Sequence, residues 1–204
     1  MLHTETVEPS TLDLIRQLQS KAYLDNFLLV GGTALALQIG HRSSTDIDLF
    51  YNQSFNTEIL RAEMETDFTC DVKSVYRFAL FLYINNIKTD IVFQKSNLLN
   101  EPVIIEDIKM ASLQDLCAMK LMAITNRGKL RDFVDIYFLL KQFTLTEMLL
   151  MWSKKYDNIN YELVLRSLTY FEDAAMETEL KWFFPFDWET VKKDIIQAVR
   201  NVNI

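Results

Sequence analysis

Residues 27–50, FLLVGGTALALQIGHRSSTDIDLF, restrict this chain more than any other stretch. Residues 27–30 read as a buried strand, Gly31-Gly32 as a tight turn, and Thr33 as the start of a short helix. A connector, residues 41–45, leads into a second strand carrying Asp46 and Asp48. Side chains alternate along a strand, so the two carboxylates share one face. Ile47, Leu49 and Phe50 flank them, which sets the acidic pair beside a core. Two close, half-buried carboxylates repel each other and are costly unless a cation neutralises them. Oxygen-only ligands suit Mg²⁺. The Gly-Gly turn opening a helix offers backbone N–H groups and the positive helix end to phosphate oxygens. The competing reading is an ordinary strand-to-helix turn that needs glycine for its backbone. A phosphate cradle and a metal site within one supersecondary unit favour a nucleotide-handling site.

The rest of the chain frames that unit. Residues 11–25 carry apolar side chains at spacings of three and four and predict a helix capped by Ser10 or Thr11. Residues 54–65 look helical, and 68–75, 77–84 and 87–93 are β-rich runs. Asn85-Asn86 marks a hairpin turn between the last two. From Ser112 onward the pattern is helical: 112–125 opened by a Ser112-x-x-Asp115 capping box, then 130–142, 147–155, 161–171 and 189–202. The expected fold class is α+β, a mixed N-terminal half and a helical C-terminal half, with the break at 101–111.

Composition excludes several classes. The 204 residues are half hydrophobic, so a sizeable core forms and disorder is excluded. The net charge of −7 argues against a generally basic nucleic-acid coat. Two distant cysteines, Cys70 and Cys117, read as reduced residues of a cytoplasmic protein, and two histidines exclude a histidine-rich metal centre. No signal-like segment or membrane-length apolar run occurs, and no membrane partner is expected.

Further acids and bases join the opening pair. Asp90 lies mid-strand before Ile-Val-Phe, where an acid is unusual, and supplies a third carboxylate able to hold metal or to activate an attacking hydroxyl. A surface-facing acid on an edge strand is the plain alternative. Lys120 falls inside the apolar stripe Leu113, Leu116, Cys117, Leu121, Ile124 and requires an anionic partner, a carboxylate or a bound phosphate, unless it snorkels at the margin. Asp132 and Asp135 lie three apart on the next helix and could pair with Lys120 or with the basic cluster Arg127, Lys129, Arg131. That cluster suits a solvated turn or an RNA phosphate contact. The aromatic run Trp182, Phe183, Phe184, Phe186, Trp188 reads as core or inter-helix packing.

Val30-Gly31-Gly32, Asp46-Ile47-Asp48 and the distant Asp90 resemble the DNA polymerase β-type nucleotidyltransferase superfamily. GGTALAL followed by HRSSTDIDLF is similar, more closely, to the AbiEii/AbiGii-like toxin nucleotidyltransferases of bacterial toxin–antitoxin and abortive-infection systems, and Lys120, Arg127 and Arg131-Asp132-x-x-Asp135 resemble that family's downstream motifs. The resemblance implies a minimal nucleotidyltransferase fold, a small mixed β-sheet with helices over residues 1–105, and a helical domain over 106–204 completing an active-site cleft. It implies Asp46, Asp48 and Asp90 as Mg²⁺ ligands, and Gly31, Gly32, Thr33, Arg42 and Ser44 around the phosphates of an NTP substrate. Lys120 would contact those phosphates, and Asp132 or Asp135 would be the second domain's catalytic acid. The superfamily often has Ser where this chain has Gly32, which removes a hydroxyl contact and leaves the backbone donors. The activity implied is NMP transfer to an RNA acceptor, with tRNA ends a known substrate class, opposed by a cognate antitoxin. Transfer to a small molecule such as an aminoglycoside, and non-catalytic nucleotide binding, are the other readings the residues allow.

Overall fold

The computed structural model describes residues 1–157, 160–172, 174 and 181–202. The first part of the chain runs α1 (Pro9–Gln19), β1 (Leu28–Val30), α2 (Gly31–Ile39), β2 (Ile47–Tyr51), α3 (Thr57–Asp67), β3 (Cys70–Tyr76), β4 (Ala79–Ile84), β5 (Ile87–Phe93), β6 (Val103–Ile105) and β7 (Ile108–Met110). Five helices follow: α4 (Leu113–Asn126), α5 (Leu130–Leu139), α6 (Leu145–Lys155), α7 (Tyr161–Thr169) and α8 (Trp188–Arg200). The architecture is mixed, a seven-stranded sheet with helices followed by a helical region.

The strands form one sheet in the order β3-β4-β5-β2-β1-β7-β6. Its centre is parallel, β2 beside β5, while β1 and β4 flank that pair antiparallel. Ile47 and Leu49 on β2, with Thr89 and Ile91 on β5, point to one side and are buried. Their alternating neighbours Asp48, Lys88 and Asp90 point to the other side and are half-buried. Helix α2 packs on β1 and β2, α3 on β3 and β4, and α1 on β7.

Several boundaries differ from the sequence expectation, each for a local reason. Helix α1 starts at Pro9, whose fixed φ suits the first helical position, rather than behind a Ser10 or Thr11 cap; Thr11 is buried instead. The expected 11–25 helix ends at Gln19, and a short 3-10 turn, Ala22–Leu24, completes the connection to β1. Helix α3 begins at Thr57 because the Asn56 side chain accepts the Glu58 and Ile59 N–H groups. The β6–β7 hairpin went unforeseen: its three-residue strands are too short to show alternation, and its turn residues Glu106 and Asp107 have positive φ without glycine. The Asn85-Asn86 turn forms as expected, with φ of 52° and 65° matching a type I′ hairpin.

Two compact units divide the chain. One comprises residues 1–96 and 101–111, so it keeps the β6–β7 hairpin; the other comprises 97–100 and 112–204. In the second unit, α4 contacts α5, α6 and α7, and α8 contacts α5 and α7, around a core that includes Leu116, Leu121, Phe133, Met148, Val164 and Ile195. Thr144 and Glu147 form a full capping box at the start of α6. Of the 182–188 aromatics none is fully buried, and inter-helix packing is the part of the expectation they meet: Trp188 of α8 contacts Phe133 of α5 and Phe171, and Phe184 contacts Phe138 of α5.

Candidate active site

The strand register builds the acidic face of the first unit. Asp48 on β2 lies directly beside Asp90 on β5, and Val30, the last residue of β1, lies opposite Asp48 on the other flank. The chain therefore leaves β1 at the point where the carboxylate stands. Gly31 adopts φ of 71°, and a Cβ there would meet Asp48 Oδ2 at 2.0 Å. Only glycine fits both the conformation and the approach. Helix α2 starts here, at Gly31 rather than after the glycines, which sets the first turn of the helix and its partial positive charge against Asp48.

The expected phosphate set divides by burial. Gly31 and Gly32 are half-exposed, whereas Thr33, Arg42 and Ser44 are buried and hold the helix start in place. Thr33 Oγ1 donates to the Asp46 carbonyl and lies 2.9 Å from Ser44 Oγ. Arg42, 2% exposed, donates from Nη1 to the Ser43 carbonyl at 2.9 Å, and its Nη2 lies 2.6 Å from where a Gly32 Cβ would sit. These three side chains brace the glycine turn and the 41–46 connector. The backbone of Gly31 and Gly32 is the part of the set that faces outward.

Asp46 stands one residue ahead of β2, half-exposed, with Thr45 Oγ1 donating to its Oδ1 at 3.3 Å. Asp90 has two unlike oxygens. Its Oδ2 accepts from Lys88 Nζ at 2.6 Å, and its buried Oδ1 has no hydrogen-bond partner. A buried carboxylate oxygen without a donor is destabilising unless a cation or a proton reaches it. Register thus unites Asp48 with Asp90; among the described residues, no three acid, histidine or cysteine side chains close into a ready-made metal cage. The oxygen-only donors and the orphaned Asp90 Oδ1 fit a hard divalent cation.

Sequence reasoning missed Lys88, although its i−2 spacing from Asp90 places both on one strand face. Burial lowers the Lys88 pKa, but the Asp90 hydrogen bond and the fields of Asp90, Asp46 and Asp48 outweigh that and raise it above the ordinary lysine value. This ammonium senses all three acids.

The second unit carries the other expected residues as a closed network. Lys120 Nζ lies 2.6 Å from Asp135 Oδ2 and 3.4 Å from Asp132 Oδ1, with both carboxylates fully buried. Arg127 grips Asp132 with two bonds, Nε to Oδ2 at 2.8 Å and Nη2 to Oδ1 at 2.9 Å. Burial pushes the Asp132 carboxyl up, but the Arg127 hydrogen bonds and the charges of Lys120 and Arg127 prevail and hold it below the usual carboxylate range. The anionic partner of Lys120 is thus a carboxylate pair, and Arg127, 46% exposed, is the cation of this cluster that reaches solvent. A second buried pair was not foreseen. Lys155 Nζ bonds Asp115 Oδ1 at 2.6 Å and the Asn97 carbonyl at 3.0 Å, while Asp115 also accepts from Ser112 and the Leu99 N–H. The Ser112-x-x-Asp115 motif announced only the helix cap.

A mixed sheet thus presents in-register acids beside a glycine-opened helix, with a helical region after it in the chain. The sequence profile of the AbiEii nucleotidyl transferase toxins, type IV toxin–antitoxin system, matches residues 13–201, and the chain belongs to that family. It is 32% identical over 194 residues to the uncharacterized protein aq_aa25 of Aquifex aeolicus, covering 92% of this chain and 93% of that one. Among solved structures it is similar to MenT4, the nucleotidyltransferase toxin Rv2826c of Mycobacterium tuberculosis H37Rv, with a TM-score of 0.60, 16% identity, and coverage of 95% of this chain and 83% of that one. It is also similar to ANT(2″)-Ia in complex with adenylyl-2″-tobramycin, with a TM-score of 0.53, 13% identity, and coverage of 71% and 95%. At those identities the two structures bear on the fold alone. Among the described residues, no helix is long and apolar enough to cross a membrane.

Proposed function

We propose that this nucleotidyltransferase moves an NMP group from an NTP to an RNA acceptor of the tRNA class, as the Mg²⁺-dependent toxin of a pair whose other member is a cognate antitoxin. The observation that carries the chemistry is the in-register Asp48–Asp90 pair with its unpartnered buried oxygen, set against the Gly31-Gly32 helix start. Asp46, Asp48 and Asp90 are the residues that would hold the metal, which when bound neutralises triphosphate charge and makes the acceptor hydroxyl more acidic. The outward backbone of Gly31 and Gly32 receives phosphate oxygens at the positive end of α2. The Asp90 carboxylate takes the proton of the acceptor hydroxyl, and the acceptor oxygen bonds to the α-phosphorus while the bond to pyrophosphate breaks. Thr33, Arg42 and Ser44 act by fixing the turn. In the helical unit, Lys120, Asp132 and Asp135 form the rigid base from which Arg127 offers its outer edge to a phosphate.

One observation favours a second reading, transfer to an aminoglycoside: the net charge of −7, which is unhelpful for RNA. Incubating the protein with each α-labelled NTP and Mg²⁺, once with total tRNA and once with an aminoglycoside panel, separates them. Label in tRNA supports the leading reading. Label only in a drug replaces it with the second, and label in neither acceptor rejects both.

A further inference from the structure

We infer that Lys88 is the built-in counter-cation of the acidic face, and that its ammonium and a divalent cation compete for the same carboxylates. The inference rests on the metal reading above and adds a residue to it. Asp48 and Asp90 stand side by side in register on β2 and β5, and the Lys88 ammonium lies 2.6 Å from Asp90 Oδ2. The Lys88 side chain is 41% exposed while that of Asp90 is only 15% exposed. The carboxylate is therefore fixed and the lysine can leave. Its flexible four-carbon stem lets the ammonium swing into water without disturbing the strand.

Such an arrangement solves a definite problem. Asp48 and Asp90 stand side by side in register, and like charges on neighbouring strands repel. Lys88 neutralises the Asp90 member until a doubly charged ion, with the stronger field, replaces it. A pair of the same spacing provides the comparison. Lys73 and Asp71 on β3 also lie two residues apart and 2.5 Å from each other, but both are more than half exposed and stand apart from any acid cluster named above. Proximity of lysine to aspartate is common to both pairs; the in-register Asp48 and the unpartnered buried Oδ1 of Asp90 are particular to Lys88.

The experiment uses Mn²⁺ as the probe, read by electron paramagnetic resonance on the full chain at low salt. Lys88→Met is expected to bind Mn²⁺ roughly threefold to tenfold more tightly than the unmodified protein, in line with removing one partly shielded competing charge. It should also melt at a lower temperature without metal and recover on Mn²⁺ addition. Lys88→Arg, which keeps the cation, should stay close to the unmodified affinity, as should Lys73→Met. Mn²⁺ affinity in Lys88→Met that is unchanged or weaker overturns the role of Lys88 while leaving the metal site standing. An equal gain in Lys73→Met also overturns it, because the effect would then be one of overall charge. Absence of Mn²⁺ binding in every protein, unmodified included, removes the metal reading and this inference together.

Discussion

The two units treat their charges in opposite ways. In the helical unit, Asp115, Asp132 and Asp135 are fully buried, and each faces a cation supplied by the chain: Lys155, Lys120 or Arg127. In the sheet unit, Asp46, Asp48 and Asp90 are half-buried, Asp90 pairs with the partly exposed Lys88, and one Asp90 oxygen is left without a partner. Charge that is matched inside the fold holds elements together. A buried carboxylate oxygen left without a donor is what a cation can satisfy. The contrast separates architecture from chemistry more cleanly than residue type does, since both regions contain aspartates near a lysine.

The comparison breaks most visibly at the matched pairs. Lys155→Met strands the Asp115 carboxylate in the interior, together with the 97–100 segment it holds, and should cost about 3–5 kcal/mol in a urea titration. A loss below about 1 kcal/mol would move this pair into the class of surface bridges. Gly31→Ala forces a side chain into a left-handed backbone position and against Asp48, and should cost about 1–3 kcal/mol while strongly reducing transfer. Retained activity at full stability would mean that the approach of Asp48 to the helix start is dispensable. The smallest effect is on pH dependence. The Asp132 carboxyl is held below its ordinary value of 3.8, so its contribution is fully present above that pH and is lost as acid protonates it. The acid limb of a pH–stability curve should therefore flatten in Asp132→Asn, although that variant is less stable at neutral pH. An unchanged limb would remove Asp132 from the set of stabilising charges.

Much of the sheet unit was legible because its signals are local. Alternation put Asp46 and Asp48 beside a core, Asn85-Asn86 marked the hairpin, and an acid before Ile91-Val92-Phe93 stood out against strand preferences. What the sequence hid depends on register and burial. That Asp48 neighbours Asp90 follows from parallel pairing of strands far apart in the chain. That Arg42 and Ser44 brace the turn follows from burial no composition rule assigns to a connector. Lys120 was legible in phase but ambiguous in partner, and the fold resolves it in favour of Asp135 and Asp132. The Lys155–Asp115 pair links helices separated by intervening elements and left no trace beyond the cap at Ser112.

We propose that the acids of the sheet unit act in chemistry while those of the helical unit maintain the fold. Measuring label transfer and melting temperature together in Asp46→Asn and Asp135→Asn tests it most directly. Asp46→Asn should lower transfer more than about a hundredfold, as expected for a lost metal contact, with stability within about 0.5 kcal/mol of the starting protein. Asp135→Asn should melt well below it, because Lys120 loses its nearest carboxylate. Full transfer by a stably folded Asp46→Asn protein would contradict the account.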